Sequence, residues 1–290
     1  MRSNGFHPPA VVSPFEKHSR LVFQRMGRQI GKLVKSASTD NVHKFRTNSR
    51  RIEALVCELA PENGNRKKLL KLLSKFRKKA GKVRDLDVQI AFLKELKVPD
   101  RHNQRAQLLE WLDSEQTRRK KKLEKAFDSE TAKELRKRLR RVQSEMQLHG
   151  IDPLRLAHKR LPDPGTTPLS EKMLHSCRIE AKKARYLAEF APESAESKQF
   201  IDGLKKAQDA VGEWHDIMKL KEHAERLFGG VSDSALVSVL QNISRAKFRR
   251  ATNALVTAVS EISATRKAPE SVAPRKPSAV TEATHHSAAA

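Results

Sequence analysis

Apolar residues recur along this chain at helical spacing, and no stretch alternates in the manner of a strand. From Phe15 to Val34, positions Leu21, Val22, Ile30, Leu33 and Val34 predict a first helix. Ser38, Thr39 and Asp40 offer capping oxygens for a second, beginning near Asn41, running to Leu59 and stopped by Ala60-Pro61-Glu62-Asn63-Gly64. A third spans about Arg66 to Ala80, with the pattern resuming after Gly81 to Leu96, and residues 102–148 predict one or two long helices before Gly150. Pro153, Pro162, Pro164, Gly165 and Pro168 make 151–168 the best internal boundary. Four further segments follow, at about 169–190, 195–211, 213–228 and 232–264. The expected organisation is an all-α fold: a flexible arm over 1–13, a first helical bundle over 14–150, a linker over 151–168 and a second bundle over 169–265. Residues 266–290, dominated by Pro, Ala, Ser, Thr and His, are expected to be a disordered tail.

Composition narrows the class. Of 290 residues, 59 are Lys or Arg and 34 are Asp or Glu, a formal charge of +25. Solubility needs far less, and so large a charge repels itself in a compact state, so a polyanion partner is expected. Nucleic acid, an anionic membrane and an inorganic phosphate polymer all fit that requirement. Cys57 and Cys177 form no CxxC pair, which suits a reducing compartment. The N-terminus lacks the apolar core of a signal peptide and no run is long enough to span a membrane, so a cytoplasmic protein is expected.

The chain also repeats itself. Val42-His43-Lys44-Phe45-Arg46 is echoed by Leu174-His175-Ser176-Cys177-Arg178. Arg50-Arg51 and Lys182-Lys183 fall at the same offsets after the two histidines. Gly81-Lys82-Val83-Arg84-Asp85 is matched by Gly212-Glu213-Trp214-His215-Asp216, at nearly the same distance from His43 and His175 respectively. Two motifs sharing one offset point to a duplicated helical unit packing as pseudo-symmetric halves.

At ~100° per residue, His43, Arg46, Arg50 and Arg51 share one helix face, with Phe45, Ile52, Leu55 and Leu59 opposite. His175, Arg178, Lys182, Lys183 and Arg185 group likewise, with Cys177, Ala184 and Leu187 opposite and Ile179 interrupting the polar face. Solvated helix faces usually mix signs to gain i,i+4 pairs. Here Asn41 to Arg51 carries four basic residues and no acid, the signature of an anion-binding surface.

The sequence Val-His-x-x-Arg-x-x-x-Arg-Arg, followed by Gly-x-x-Arg-Asp-x-Asp-Val over Gly81 to Val88, resembles the CHAD family, the conserved histidine α-helical domain. Leu174 to Tyr186 and Leu204 to Asp216 are similar to that family's second repeat, and the resemblance covers about residues 14–262. It implies two similar helical bundles around a basic central cavity, and binding of inorganic polyphosphate. Glu53 stands where the family often has another Arg, His215 replaces the Arg before Asp216, and Lys182 and Lys183 replace arginines. Weaker binding is expected from those positions.

The polyphosphate-binding residues expected on this reading are His43, Arg46, Arg50, Arg51, His175, Arg178, Lys182, Lys183 and Arg185. Further candidate contacts are Arg28, Lys32, Lys79, Arg84, Arg119, Lys121 and Lys206, while Gly81, Asp85, Gly212 and Asp216 are expected to be structural. The aspartates would orient neighbouring arginines or cap a helix after a glycine break. Residues 117–143, with twelve basic residues against four acidic ones, offer a wall of the anion groove or a solvated long helix. Neither histidine has a carboxylate–His zinc spacing around it, so no metal is expected. There is no GxxxxGK[ST] loop and no ExExK motif of triphosphate hydrolases, so neither an enzyme nor a cofactor is expected. A nucleic-acid binder using the same basic surface, or a polyphosphate-granule adaptor tethered by the tail, are the alternative readings. Two Trp and one Tyr leave little for base stacking.

Overall fold

A computed structural model describes residues 12–97, 102–165 and 168–267. The expected arm and tail therefore lie almost wholly outside the described residues. Among these residues the fold is all-α, with nine helices and no strand. They are α1 (Pro14–Lys35), α2 (Thr39–Leu59), α3 (Gly64–Glu95), α4 (Gln104–Ala126), α5 (Ser129–Glu145), α6 (Pro153–Lys159), α7 (Glu171–Ala188), α8 (Ala195–Phe228) and α9 (Ala235–Lys267).

Local chemistry explains the starts. Ser13, Ser38, Asn63, Asp128, Asp152 and Ser170 each accept from a backbone N–H in the first turn of the helix that follows. Ser194 and Ser197 form a reciprocal capping box at the head of α8. The basic segment 117–143 is not one helix but two, separated at Phe127 and Asp128. A short helix, α6, occupies part of the expected linker, started by Asp152 and by Pro153 in its first turn.

Gly81 and Gly212 do not interrupt their helices. Both lie inside unbroken runs, α3 of 32 residues and α8 of 34. A lone glycine costs a helix ~1 kcal/mol but leaves its N–H in the ladder, whereas only proline removes the donor. Asp85 and Asp216 therefore cap nothing.

Three apolar clusters hold the helices together. The first joins α1, α2, the front of α3, and α5, with the Phe127 ring edge-on to Phe45 and Phe76 at centroid distances of 5.3 and 4.7 Å. The second joins α6, α7, the front of α8, and α9 around Leu187, Phe200, Leu204 and Trp214. The third knits the far ends of the long helices together: Leu86, Ile90 and Leu93 of α3 meet Leu108 and Leu112 of α4, Leu220 of α8, and Leu236 and Leu240 of α9. At 1.5 Å per residue, α3 and α8 are each about 50 Å long, so each contributes to two clusters. Helix α2 packs on α7, which brings the two basic stripes of the sequence to one place.

Candidate functional site

The apolar faces of α2 and α7 set the direction of their polar faces. Val42, Phe45, Ile52 and Leu55 are buried in the first cluster, and Leu174, Cys177, Ala181, Ala184 and Leu187 in the second. Residues on the remaining face meet where the two helices pack. Arg46 and Arg50 of α2 and Arg178 and Lys182 of α7 lie close enough for each to feel the others' charge.

Arg46 anchors the first half of this cluster. Its Nη1 donates to the Arg77 carbonyl at 3.4 Å, and its Nη2 lies 3.7 Å from Asp85 Oδ1. The guanidinium rests against the backbone of α3 at Gly81, where an added Cβ would collide with Nη1. That close approach is what glycine provides here. Burial, together with Arg50 and Arg178, lowers the Arg46 pKa to about 10 despite Asp85. The corresponding glycine of the second half differs, since nothing lies within 4 Å of a Cβ built at Gly212.

Burial, and then Arg50, also lower the pKa of Arg178, whose Nε is buried without a hydrogen-bond acceptor among the described residues. Lys182 is more perturbed. Burial, followed by the charges of Arg178, Arg50 and Arg46, brings its pKa from 10.5 to about 6, with Asp216 opposing. The uncharged amine of Lys182 is therefore favoured at neutral pH while the site holds no anion. Beneath these cations two carboxylates meet, one from α3 and one from α8: burial and the nearby Asp216 raise the Asp85 pKa against the pull of Arg46. Burial lowers the pKa of His43, helped by Arg84 and Arg46. Burial lowers that of His175 too, helped by Arg178 and by His215, whose ring stacks 6.1 Å away.

The other predicted residues are placed differently. Arg51 Nε donates to Glu189 Oε2 at 2.7 Å and Arg185 Nη1 to Glu189 Oε1 at 2.7 Å, so one carboxylate ties α2 to α7 through both. Arg185 Nε also donates to Gln208 Oε1 at 2.9 Å. Lys183 donates to Glu180 at 2.8 Å and Arg119 is bound to Glu115. Glu53 accepts both outer nitrogens of Arg77, so this departure from the family pattern forms an ion pair beside the cluster. Arg28, Lys32, Lys121 and Lys206 are exposed on α1, α4 and α8, away from any ion pair, and Lys79 and Arg84 are half-buried on α3.

Two features of the cluster's surroundings lie outside the repeat motifs. Glu189 lies just past the last turn of α7, and only its approach to Arg51 across 138 positions reveals its role. The second is a row of lysines on α3, legible as ten basic residues and no acid from Gly64 to Arg84. Two clefts lie elsewhere. One of about 770 Å³ is lined by Trp214, Arg245, Phe248 and Arg249 between α8 and α9, and another of about 530 Å³ by Phe23 and Arg140 between α1 and α5. Among the described residues no group of three or more His, Cys, Asp or Glu could hold a metal ion, and no helix is long and apolar enough to cross a membrane.

A family model described as CHAD domain matches residues 20–225. Among solved structures, the chain is similar to the CHAD domain from the plant Ricinus communis, at 17% identity over 90% of this chain and 96% of that one, with a TM-score of 0.65. It is also similar to PptA from Streptomyces chartreusis, at 15% identity over 87% and 98% of the two chains, with a TM-score of 0.59. No curated protein sequence matches the chain.

Proposed function

The chain belongs to the CHAD domain family, and from that premise we propose that it binds inorganic polyphosphate, without catalysis, between α2 and α7. The observation that carries this reading is the meeting of the half-buried Arg46, Arg50 and Arg178 with the perturbed amine of Lys182, drawn from two helices, with Asp85 and Asp216 as acids that act on them. Like charges crowded in this way cost stability unless an anion sits among them. The buried, unpartnered Nε of Arg178 is a donor that a phosphate oxygen would satisfy.

In this reading the arginines supply planar forks to phosphate oxygens, and the bound anion lets Lys182 regain its one proton. His43 and His175, at the start of each stripe, donate ring N–H groups at the two ends of the cluster. The Arg51–Glu189–Arg185 bridge positions the two helices and stays out of the ligand. The basic cavity that the family resemblance implies would lie at this meeting of α2 and α7. The same reading makes association with polyphosphate granules an expected consequence of binding.

Competition at physiological salt tests it. A fluorescent polyphosphate probe should be displaced by unlabelled polyphosphate and poorly by RNA or duplex DNA of equal phosphate concentration. Displacement by nucleic acid at equal or lower concentration would move the assignment to a nucleic-acid binder.

A further inference from the structure

A second basic feature among the described residues lies outside the α2–α7 cluster. Lys67, Lys71, Lys75, Lys78 and Lys82 are all exposed on α3. At ~100° per residue they fall within an 80° arc, and at 1.5 Å per residue they span about 22 Å. None of the five forms an ion pair among the described residues; Lys75 Nζ lies 5.7 Å from the centroid of the Phe76 ring, and Asp128 is an acid within reach of its charge. The opposite face of the same stretch, Leu69, Leu73, Phe76, Ala80 and Val83, is buried in the first cluster. The ridge is therefore held rigid and turned outward.

One end of the ridge runs into the proposed site. Gly81 and Asp85, the two α3 residues against Arg46, flank Lys82. Arg84, two residues beyond Lys82, acts on the charge of His43. Fixed arginine forks thus give way to a straight row of lysines. Lysine ammoniums are point charges without the planar geometry of guanidinium, and they suit a flexible anion that needs no single pose. The aromatic residue of this stretch, Phe76, is buried beneath the ridge and presents no face on which a base could stack.

Resting on the polyphosphate reading of the α2–α7 site, we propose that the α3 lysine ridge is an outer track which binds the part of a long phosphate chain that overhangs the site. The site holds one segment in place, and the ridge meets the next segment at high effective concentration. Affinity should consequently rise with chain length until the ridge is covered, and then level off.

The test compares tripolyphosphate with long-chain polyphosphate on the full chain, using wild type, Lys71→Glu/Lys75→Glu/Lys78→Glu and the neutral Lys71→Gln/Lys75→Gln/Lys78→Gln. Circular dichroism confirms that each variant is folded. Tripolyphosphate affinity should change by less than about threefold, while the charge reversal weakens long-chain binding roughly 10- to 100-fold and the neutral variant falls between. A long-chain advantage that survives in both variants refutes the track and leaves the site standing. So does an equal loss for short and long chains. Wild type that binds neither phosphate refutes the site and the track together. Loss of duplex DNA binding in the variants, with long polyphosphate still held, assigns the ridge to nucleic acid and overturns the proposal.

Discussion

Replacing Lys182 with methionine should make this protein more stable, not less. The aliphatic stem of Lys182 already occupies space between α2 and α7, and methionine keeps most of that volume while removing the amine. In the folded chain, burial and three arginines hold the Lys182 pKa at about 6. In the unfolded chain it returns to an ordinary lysine value near 10.4. Between these two values the unfolded state binds more protons, so wild-type stability rises with pH across that window. At pH 7 the cost of keeping the amine neutral is on the order of 5 kcal/mol. Water entry and side-chain relaxation reduce what a variant recovers to about 2–3 kcal/mol. Urea denaturation of wild type and Lys182→Met at intervals from pH 6 to 10 measures the effect. The gain should be largest near pH 6 and shrink steadily towards pH 10. Destabilisation at pH 7, or a difference that ignores pH, would refute the reasoning.

Proton uptake follows from the same group: a bound polyanion favours the charged amine, so polyphosphate should bind with protons taken up at pH 7–8 and more weakly as pH rises. Titration calorimetry in buffers of different ionisation enthalpy should show this uptake in wild type and less of it in Lys182→Met. The two repeat glycines should respond in opposite ways to alanine. Gly81→Ala displaces the Arg46 guanidinium and should lower polyphosphate affinity several-fold with little loss of stability, whereas Gly212→Ala meets nothing and should add up to ~1 kcal/mol of stability with binding unchanged. Glu189→Gln leaves Arg51 and Arg185 without their shared carboxylate, and should cost on the order of 2–4 kcal/mol in thermal or urea unfolding.

What could be read from the sequence was whatever depended on periodicity. The all-α class, the buried faces of α2 and α7, and the Ser38 cap follow from residues three or four positions apart. Gly81 and Gly212 misled because glycine suggests a break, while the surrounding residues of α3 and α8 carry the helix through it. Gly81 is there for the approach of Arg46, a contact between residues 35 positions apart that no local pattern encodes. Helix α6 was hidden among prolines because Pro153 starts a helix as readily as it ends one. In the site, residue type and face were legible, but protonation was not. The Lys182 pKa is lowered first by burial and then by Arg178 of its own helix, with Arg50 and Arg46 of α2 adding to it, and burial and cross-helix charge are set by the fold. The Glu189 carboxylate that Arg51 and Arg185 share was not legible, because it lies outside both stripes. The α3 ridge needed no fold to be seen, since its five lysines fall on one face by arithmetic alone.

The central claim is that one polyphosphate chain is held by α2 and α7 together. Polyphosphate affinity of Arg46→Glu/Arg50→Glu and of Arg178→Glu/Lys182→Glu, measured beside the charge-reversal control Lys198→Glu/Lys205→Glu on the exposed face of α8, tests it most directly. Each cluster double places repulsive charge against the phosphates, so each should abolish binding, while the control loses less than about threefold. Folded doubles that keep wild-type affinity, or a control that loses as much as they do, would contradict the claim.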